Sequence, residues 1–322
     1  MTQIFLLQGN TTFPDPGNWG LPNKIECVGC GGGGGAGMFG PPQGQNPGGG
    51  GGGGAYAHAE NITPTFPVPV FVGAGAQSAT QNSIYTTFGF SNNGNKPPTP
   101  TSGMVYAGNG AATNASSGNA GAGTDLYPAG FPGGIGGWGG GGQLPAGFGG
   151  GGAGAGGPNG AGANGIGTSG APSIVGGSGD AGHTPAGANG TQWDASHGIG
   201  GGGSGGTGTT PNTRGGQYGA GSGGGGGSAS SNINGGDGLI VITYNPNSLH
   251  YGIVRGVTTK YIYMTVKPDV NAKDDKELDN PAWLQIGGTQ GGEALQMLKI
   301  DRMTYNSWTS FSQLVAWAQA QP

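Results

Sequence analysis

Along this chain, short stretches with apolar residues at every second position alternate with long stretches almost free of apolar side chains. The alternating stretches read as strands: residues 2–8 (TQIFLLQ), 23–29 (NKIECVG), 55–61 (AYAHAEN), 68–73 (VPVFVG), 83–90 (SIYTTFGF), 103–108 (GMVYAG) and 237–244 (DGLIVITY). Ala55–Asn61 and Val68–Gly73 are expected to form a hairpin-like pair. Pro67 and Pro69 place the second of these at a sheet edge, since proline cannot donate to a ladder. Beyond residue 246 the pattern becomes that of an ordinary small domain. His250–Val257 and Lys260–Lys267 alternate as paired strands, Trp283–Ile286 reads as a short strand, and Glu293–Ile300 as a short helix or strand. Ser310–Gln313 fits a capping box. Phe311, Leu314, Val315 and Ala318 then share one apolar helical face, so a helix is expected from Ser310 to Ala320.

The stretches between strands carry a different signal. In Gly133–Gly160, glycine falls at every third position: Gly133, Gly136, Gly139 and Gly142, then Gly151, Gly154, Gly157 and Gly160. An extended helix with three residues per turn has no internal hydrogen bonds, so its amides and carbonyls point outward. Glycine at every third place lets a neighbour approach and pair with them. The expected fold is therefore a polyglycine II helix bundle with flanking short β-strands, followed by a small C-terminal α/β (α+β) domain. Between the glycine runs, Asp125–Pro132, Gln143–Phe148, His183–His197 and Arg214–Tyr218 read as loops.

Composition sharpens this picture. The chain has 322 residues, with 83 glycines and 23 prolines. Such a content points to a collagen-like or disordered chain. Collagen needs an unbroken repeat, and here the period breaks within a few turns. Disorder goes with high net charge and few aromatics. This chain has net charge −4, 6 tryptophans, 10 tyrosines and 10 phenylalanines. An ordered glycine-rich domain over 1–245 is expected, with a second domain over 246–322 for attachment or oligomerisation. Most of the charge lies in the second and nearly all the glycine in the first. Neither part is basic enough for a nucleic-acid footprint. The first ten residues, MTQIFLLQGN, lack the basic region and cleavage site of a signal peptide, and no apolar run has membrane-spanning length.

The order of motifs carries a resemblance. A strand ends in a glycine run (IECVGCGGGGG), GGGGGAYA leads to a valine-rich strand ending in VGAG, and SIYTTFG follows. Long glycine repeats come next, and the series closes on GGDGLIVITY. This order resembles the glycine-rich domain of many bacteriophage tail-fibre and tail-tip proteins, over residues 1–245. The central part is similar to the distal adhesins of T-even-type phages, in which polyglycine helices stack and variable loops bind the host. Cysteines stand at Cys27 and Cys30 where that family commonly has a larger apolar residue and an alanine. The resemblance implies a virion structural protein, assembled in the host cytoplasm and placed on a tail fibre or tail tip. Its implied partners are other virion proteins and a host surface receptor, either a glycan or an outer-membrane protein. It implies a homotrimer as one oligomeric state. Capsid decoration or a head fibre is the structural alternative, and a polysaccharide depolymerase the enzymatic one.

Candidate chemistry is sparse. No lysine follows a glycine run in the manner of a phosphate-binding loop. Asp194, Ser196 and His197 form a tempting trio, but a triad is defined by geometry and not by adjacency. Cys27 and Cys30 could be a redox pair or half a zinc site. Without a second pair they read as small buried thiols. No catalytic residue, metal or cofactor is expected, and the protein is read as a non-enzyme. Ligand contact is assigned to large residues of the loops, since binding residues gather on loops held by a rigid scaffold. The candidates are His183, Gln192, Trp193, His197, Arg214, Gln217 and Tyr218. The competing reading is that these side chains cap the glycine segments and shield them from water.

Overall fold

The computed structural model describes residues 2–7, 9–16, 19–40, 44–46, 48–75, 85–90, 101–113, 122–135, 148–167, 175–206, 211–226, 233–245, 248–256, 262–269, 289–290 and 293–298. Two compact units are present. One holds Met1–Asp15 and Pro22–Asn245, the other Pro16–Leu21 and Pro246–Pro322.

The strands of the first unit are, in chain order, β1 (Thr2–Leu6), β2 (Gly9–Phe13), β3 (Asn23–Val28), β4 (Met38–Gly40), β5 (Gly44–Asn46) and β6 (Tyr56–Glu60). They continue with β7 (Val68–Val72), β8 (Tyr85–Phe88), β9 (Val105–Gly108), β10 (Leu126–Tyr127), β11 (Ala129–Phe131) and β12 (Leu239–Tyr244). Two antiparallel sheets of five strands result, in the orders β1-β12-β3-β6-β11 and β10-β9-β8-β7-β2. The second unit has β13 (Ser248–Gly256), β14 (Ile262–Asp269), β15 (Thr289–Gln290) and β16 (Glu293–Leu298), arranged β14-β13-β16-β15.

The expected polyglycine II helix bundle with a C-terminal α/β domain is corrected by this architecture. Among the described residues there is no α-helix, only a 3-10 turn at Asp180–Gly182. The side-chain-bearing stretches explain the β-rich outcome. Successive residues of a strand face opposite ways, and Cys27 on β3 is register partner of Ile240 on β12 and Ala57 on β6. These three side chains share one face with Ile25 and Ile242, and all five are buried. The Cys27 thiol donates to the Val105 carbonyl of the other sheet at 3.6 Å, so this face meets Val70, Phe88 and Val105, each fully buried. An apolar interior between two sheets is thus available to a chain whose glycine runs hold none.

The opposite face of the first sheet has its own buried cluster. Val28, Tyr56, Leu239 and Val241 pack there with Ala155 and Ile199, which arrive from glycine-rich segments. Those segments pair with one another chiefly through the main chain, with a few side chains such as Thr113 and Ser222 adding bonds between them. The amides of Gly51, Gly52 and Gly53 donate to the carbonyls of Ser222, Ala111 and Gly134, at 2.8, 3.0 and 2.9 Å. Three successive residues therefore bond to three different segments. The approach is close: a Cβ on Gly32 would lie 1.8 Å from the Ala111 oxygen, and one on Gly53 1.9 Å from the Gly154 oxygen.

Several local expectations change. Strands β6 and β7 are not a hairpin pair but belong to different sheets. Strand β7 is not an edge, since it pairs with both β2 and β8. Pro69 is accommodated because its carbonyl still accepts from the Gly89 amide at 2.9 Å. Residues 125–132, expected as a loop, contain β10 and β11, and Phe131 is register partner of Tyr56. In the second unit, residues 293–298 are a strand. The expected strand at 283–286 and the expected helix at 310–320 lie outside the described residues.

Candidate functional site

Two loops, 180–199 and 211–219, cover the outward face of the first sheet. The first begins at a tight turn whose Asp180 and Ala181 both have positive φ, 48° and 52°. The Asp180 side chain holds that turn. It is fully buried. Its carboxylate accepts from the Asn159 amide at 2.7 Å, from Asn159 Nδ2 at 2.6 Å and from Gln192 Nε2 at 3.0 Å. Gln192 also donates to Thr184 Oγ1 at 2.9 Å, and its Oε1 accepts from the Ile199 amide at 2.7 Å. One buried carboxylate and one amide side chain thereby tie together residues 159, 180, 184, 192 and 199.

Trp193 turns inward from this loop. Its indole N–H donates to Glu26 Oε2 at 3.0 Å. Glu26 projects from the centre of β3, and its side chain is only 4% exposed. Its Oε1 accepts from Tyr56 Oη at 2.5 Å and from Lys24 Nζ at 2.9 Å. Burial, followed by the neighbouring Glu26 charge, pushes the Tyr56 phenol far above its ordinary range. The phenol thus stays protonated and remains a donor.

The exposed part of the site is an aromatic stack. The His197 ring lies parallel to Phe5 of β1, with centroids 3.9 Å apart and planes 8° apart. Tyr218 stands 5.9 Å from the same ring at 21°. His197 Nδ1 contacts Asp194 Oδ2 at 2.7 Å, and Asp194 Oδ1 accepts the amides of Ser196 and His197 at 2.7 and 2.8 Å. The His197 side-chain contact, followed by the Ser196 amide, lowers the Asp194 carboxyl below its ordinary value. Tyr218 sits in the turn 217–219 with φ of 57°. A left-handed tyrosine costs about 1 kcal/mol, and packing of its ring against the buried cluster offsets this. Burial, then the charges of Asp194 and Asp237, raises its phenol.

Of the seven sequence candidates, the structure brings Gln192, Trp193, His197 and Tyr218 into one cluster. Gln192 and Trp193 point inward as anchors, while His197 and Tyr218 form the stack. His183 is exposed, with Nδ1 2.8 Å from the Asp180 carbonyl. Arg214 turns instead toward residues 235–237, donating to the Gly235 carbonyl at 3.3 Å. Gln217 is exposed and held by its amide, which donates to Asn189 Oδ1 at 2.6 Å. Phe5, Glu26, Asn159 and Asp180 were missed as site residues, since each lies far along the chain from its partners or inside a glycine run.

Residues 8–245 match the family model of the glycine-rich domain. The chain belongs to this family. The match ends at the last residue of the first compact unit. Comparison with curated proteins returned no match. Within the glycine-rich domain, the loop site brings together stacked rings, a carboxylate and exposed amide side chains. No hydrogen bond joins the Ser196 hydroxyl to His197 among the described residues, so Asp194 and His197 form a pair and not a triad. Among the described residues no group of three metal-ligating side chains occurs.

Proposed function

We propose that this glycine-rich domain is part of a bacteriophage virion, as a tail-fibre or tail-tip adhesin that meets a host surface receptor through the loops 180–199 and 211–219. It acts as a structural and binding protein, with other virion proteins as neighbours and a glycan or outer-membrane protein as receptor. The observation that carries the reading is the division of labour around Asp180. Behind it stands a scaffold held mainly by main-chain bonds, which fixes position with few side chains. In front of it stand loops whose rings and polar groups are oriented by buried contacts and end in the Phe5–His197–Tyr218 stack. A rigid base with side-chain-bearing loops suits recognition, because little ordering remains to be done on binding. The motif order that resembles phage tail proteins supplies the biological setting.

The test is adsorption of virions to the host. Replacing residues 183–197 and 212–218 by Gly-Ser segments is expected to abolish adsorption while particles still assemble. Unchanged adsorption overturns the assignment of binding to these loops.

A further inference from the structure

A second site lies where the chain crosses from one sheet to the other between β10 and β11. A cavity of about 380 Å³ opens there, lined among others by His58, Glu60, Ser102, Met104, Tyr127 and Pro128. Its size is at the small end for ligand sites, enough for one sugar ring and too small for a long oligosaccharide. We propose that this cavity binds a neutral hexopyranose.

The chemistry of the walls argues for that class. Tyr127 supplies an aromatic ring, and such a ring packs against the C–H face of a pyranose. The ring is held in place: Tyr106 stacks on it at 5.9 Å and 18°, and Tyr85 meets Tyr106 edge-on at 5.7 Å. Tyr85 is itself fixed by donating to Asp125 Oδ2 at 2.9 Å. The polar groups complement a set of vicinal hydroxyls. Glu60 is an exposed carboxylate and accepts only. Its cross-strand neighbour Lys24 is bonded to Glu26 instead, at 2.9 Å. His58 has its Nδ1 buried without a partner. A buried lone pair is easier to leave unmet than a buried N–H, so the proton belongs on Nε2, which then donates. Ser102 is exposed and can do either. An acceptor, a donor and a hydroxyl beside one ring suit a polyol. The Glu60 charge, with no cation bound to it among the described residues, works against anionic sugars.

This inference does not depend on the proposed adhesin role of the loops. The test uses the full chain, with saturation-transfer NMR and calorimetric titration of the methyl glycosides of glucose, galactose and N-acetylglucosamine, and of methyl glucuronide. At least one neutral glycoside is expected to bind, and the glucuronide to bind about tenfold more weakly or not at all. Glu60→Gln is expected to weaken binding about tenfold, Tyr127→Ala to abolish it, and Tyr127→Phe to retain it. Because Tyr127→Ala can disturb β10, Ser102→Ala on an exposed turn serves as a second variant, expected to weaken binding without changing the melting temperature. A chain with His183→Ala and Gln217→Ala, both exposed loop residues, keeps the Trp193–Glu26 bond and should bind the sugar as before, even where adsorption fails. Absence of binding by all three neutral glycosides overturns the proposal. So does binding unaffected by both Glu60→Gln and Ser102→Ala, or a preference for the glucuronide.

Discussion

Trp193 and Glu26, 167 positions apart in the chain, are joined by one hydrogen bond of 3.0 Å from the indole N–H to the carboxylate. This bond fastens the 180–199 loop to the centre of the first sheet. Trp193→Phe keeps an aromatic ring, though a smaller one, and removes the donor. It is expected to cost about 1.5–3 kcal/mol, the range for a hydrogen bond to a charged group. Chemical denaturation followed by circular dichroism measures the loss.

Asp180 is the second fastening. With Asp180→Ala, the Asn159 and Gln192 donors lose their acceptor and an alanine is left with positive φ. Breaking a buried network of this kind is expected to cost about 2–4 kcal/mol. Hydrogen exchange should speed up at 159–160, 180–184 and 192–199, and stay slow in β3 and β12. Exchange that rises equally everywhere would contradict a local role.

The scaffold predicts a sharp contrast between two glycine substitutions. On Gly32 a Cβ would sit 1.8 Å from the Ala111 oxygen, so Gly32→Ala must push a main-chain segment aside. On Gly9 a Cβ meets nothing within 4 Å, and only its φ of 73° opposes alanine. Gly9→Ala is expected to cost about 1 kcal/mol, and Gly32→Ala several times as much. Comparable melting temperatures for the two would count against close main-chain packing as the source of cohesion.

Both cysteines are inert in the folded chain. Burial, with a smaller contribution from Asp237, pushes the Cys30 thiol up to about 12, and burial and the Glu26 charge raise Cys27 further. Thiolate is the reactive form. Iodoacetamide at mildly alkaline pH should leave the native protein unlabelled and modify both thiols after unfolding in guanidinium. Mass spectrometry reads the outcome.

Acid should loosen the 180–199 loop. The folded-state value of Asp194 lies below the ordinary one of about 3.9. Its contribution is therefore complete above that ordinary value and fades as pH falls through the lowered one. Limited pepsin digestion between about pH 4 and pH 2 should show faster cleavage around residues 194–197 at the lower end. Unchanged cleavage across that range would remove the Asp194–His197 contact from the stability of the loop.

The sequence made the side-chain-bearing strands legible and left the rest obscure. Residues 23–29 and 237–244 alternate clearly and become β3 and β12, paired from Asn23–Tyr244 to Val28–Leu239. The glycine runs misled, because a residue without a side chain carries no record of which way it faces. Spacing at every third position was read as a helix bundle, while the apolar strands determined a pair of sheets. Partner choice was equally hidden: nothing in the text of the chain says that Gly52 bonds to Ala111 or Gly51 to Ser222. Edge positions failed for a related reason. Pro69 forbids only a donor, and its carbonyl is free to serve an interior strand. At the site, the loop aromatics stood out as large residues in a small-residue context. Their orientation did not, since Glu26 and Phe5 that receive them lie in the first strands of the chain.

The bonds of Gly51, Gly52 and Gly53 to three separate segments use only atoms that every residue possesses. Main-chain bonds of this kind carry little register of their own, so alignment falls to the few side chains along each pass, such as Thr113, Ser222 and Ile199. Lengthening every pass by one period would add bonds of the same kind without asking for any new side chain.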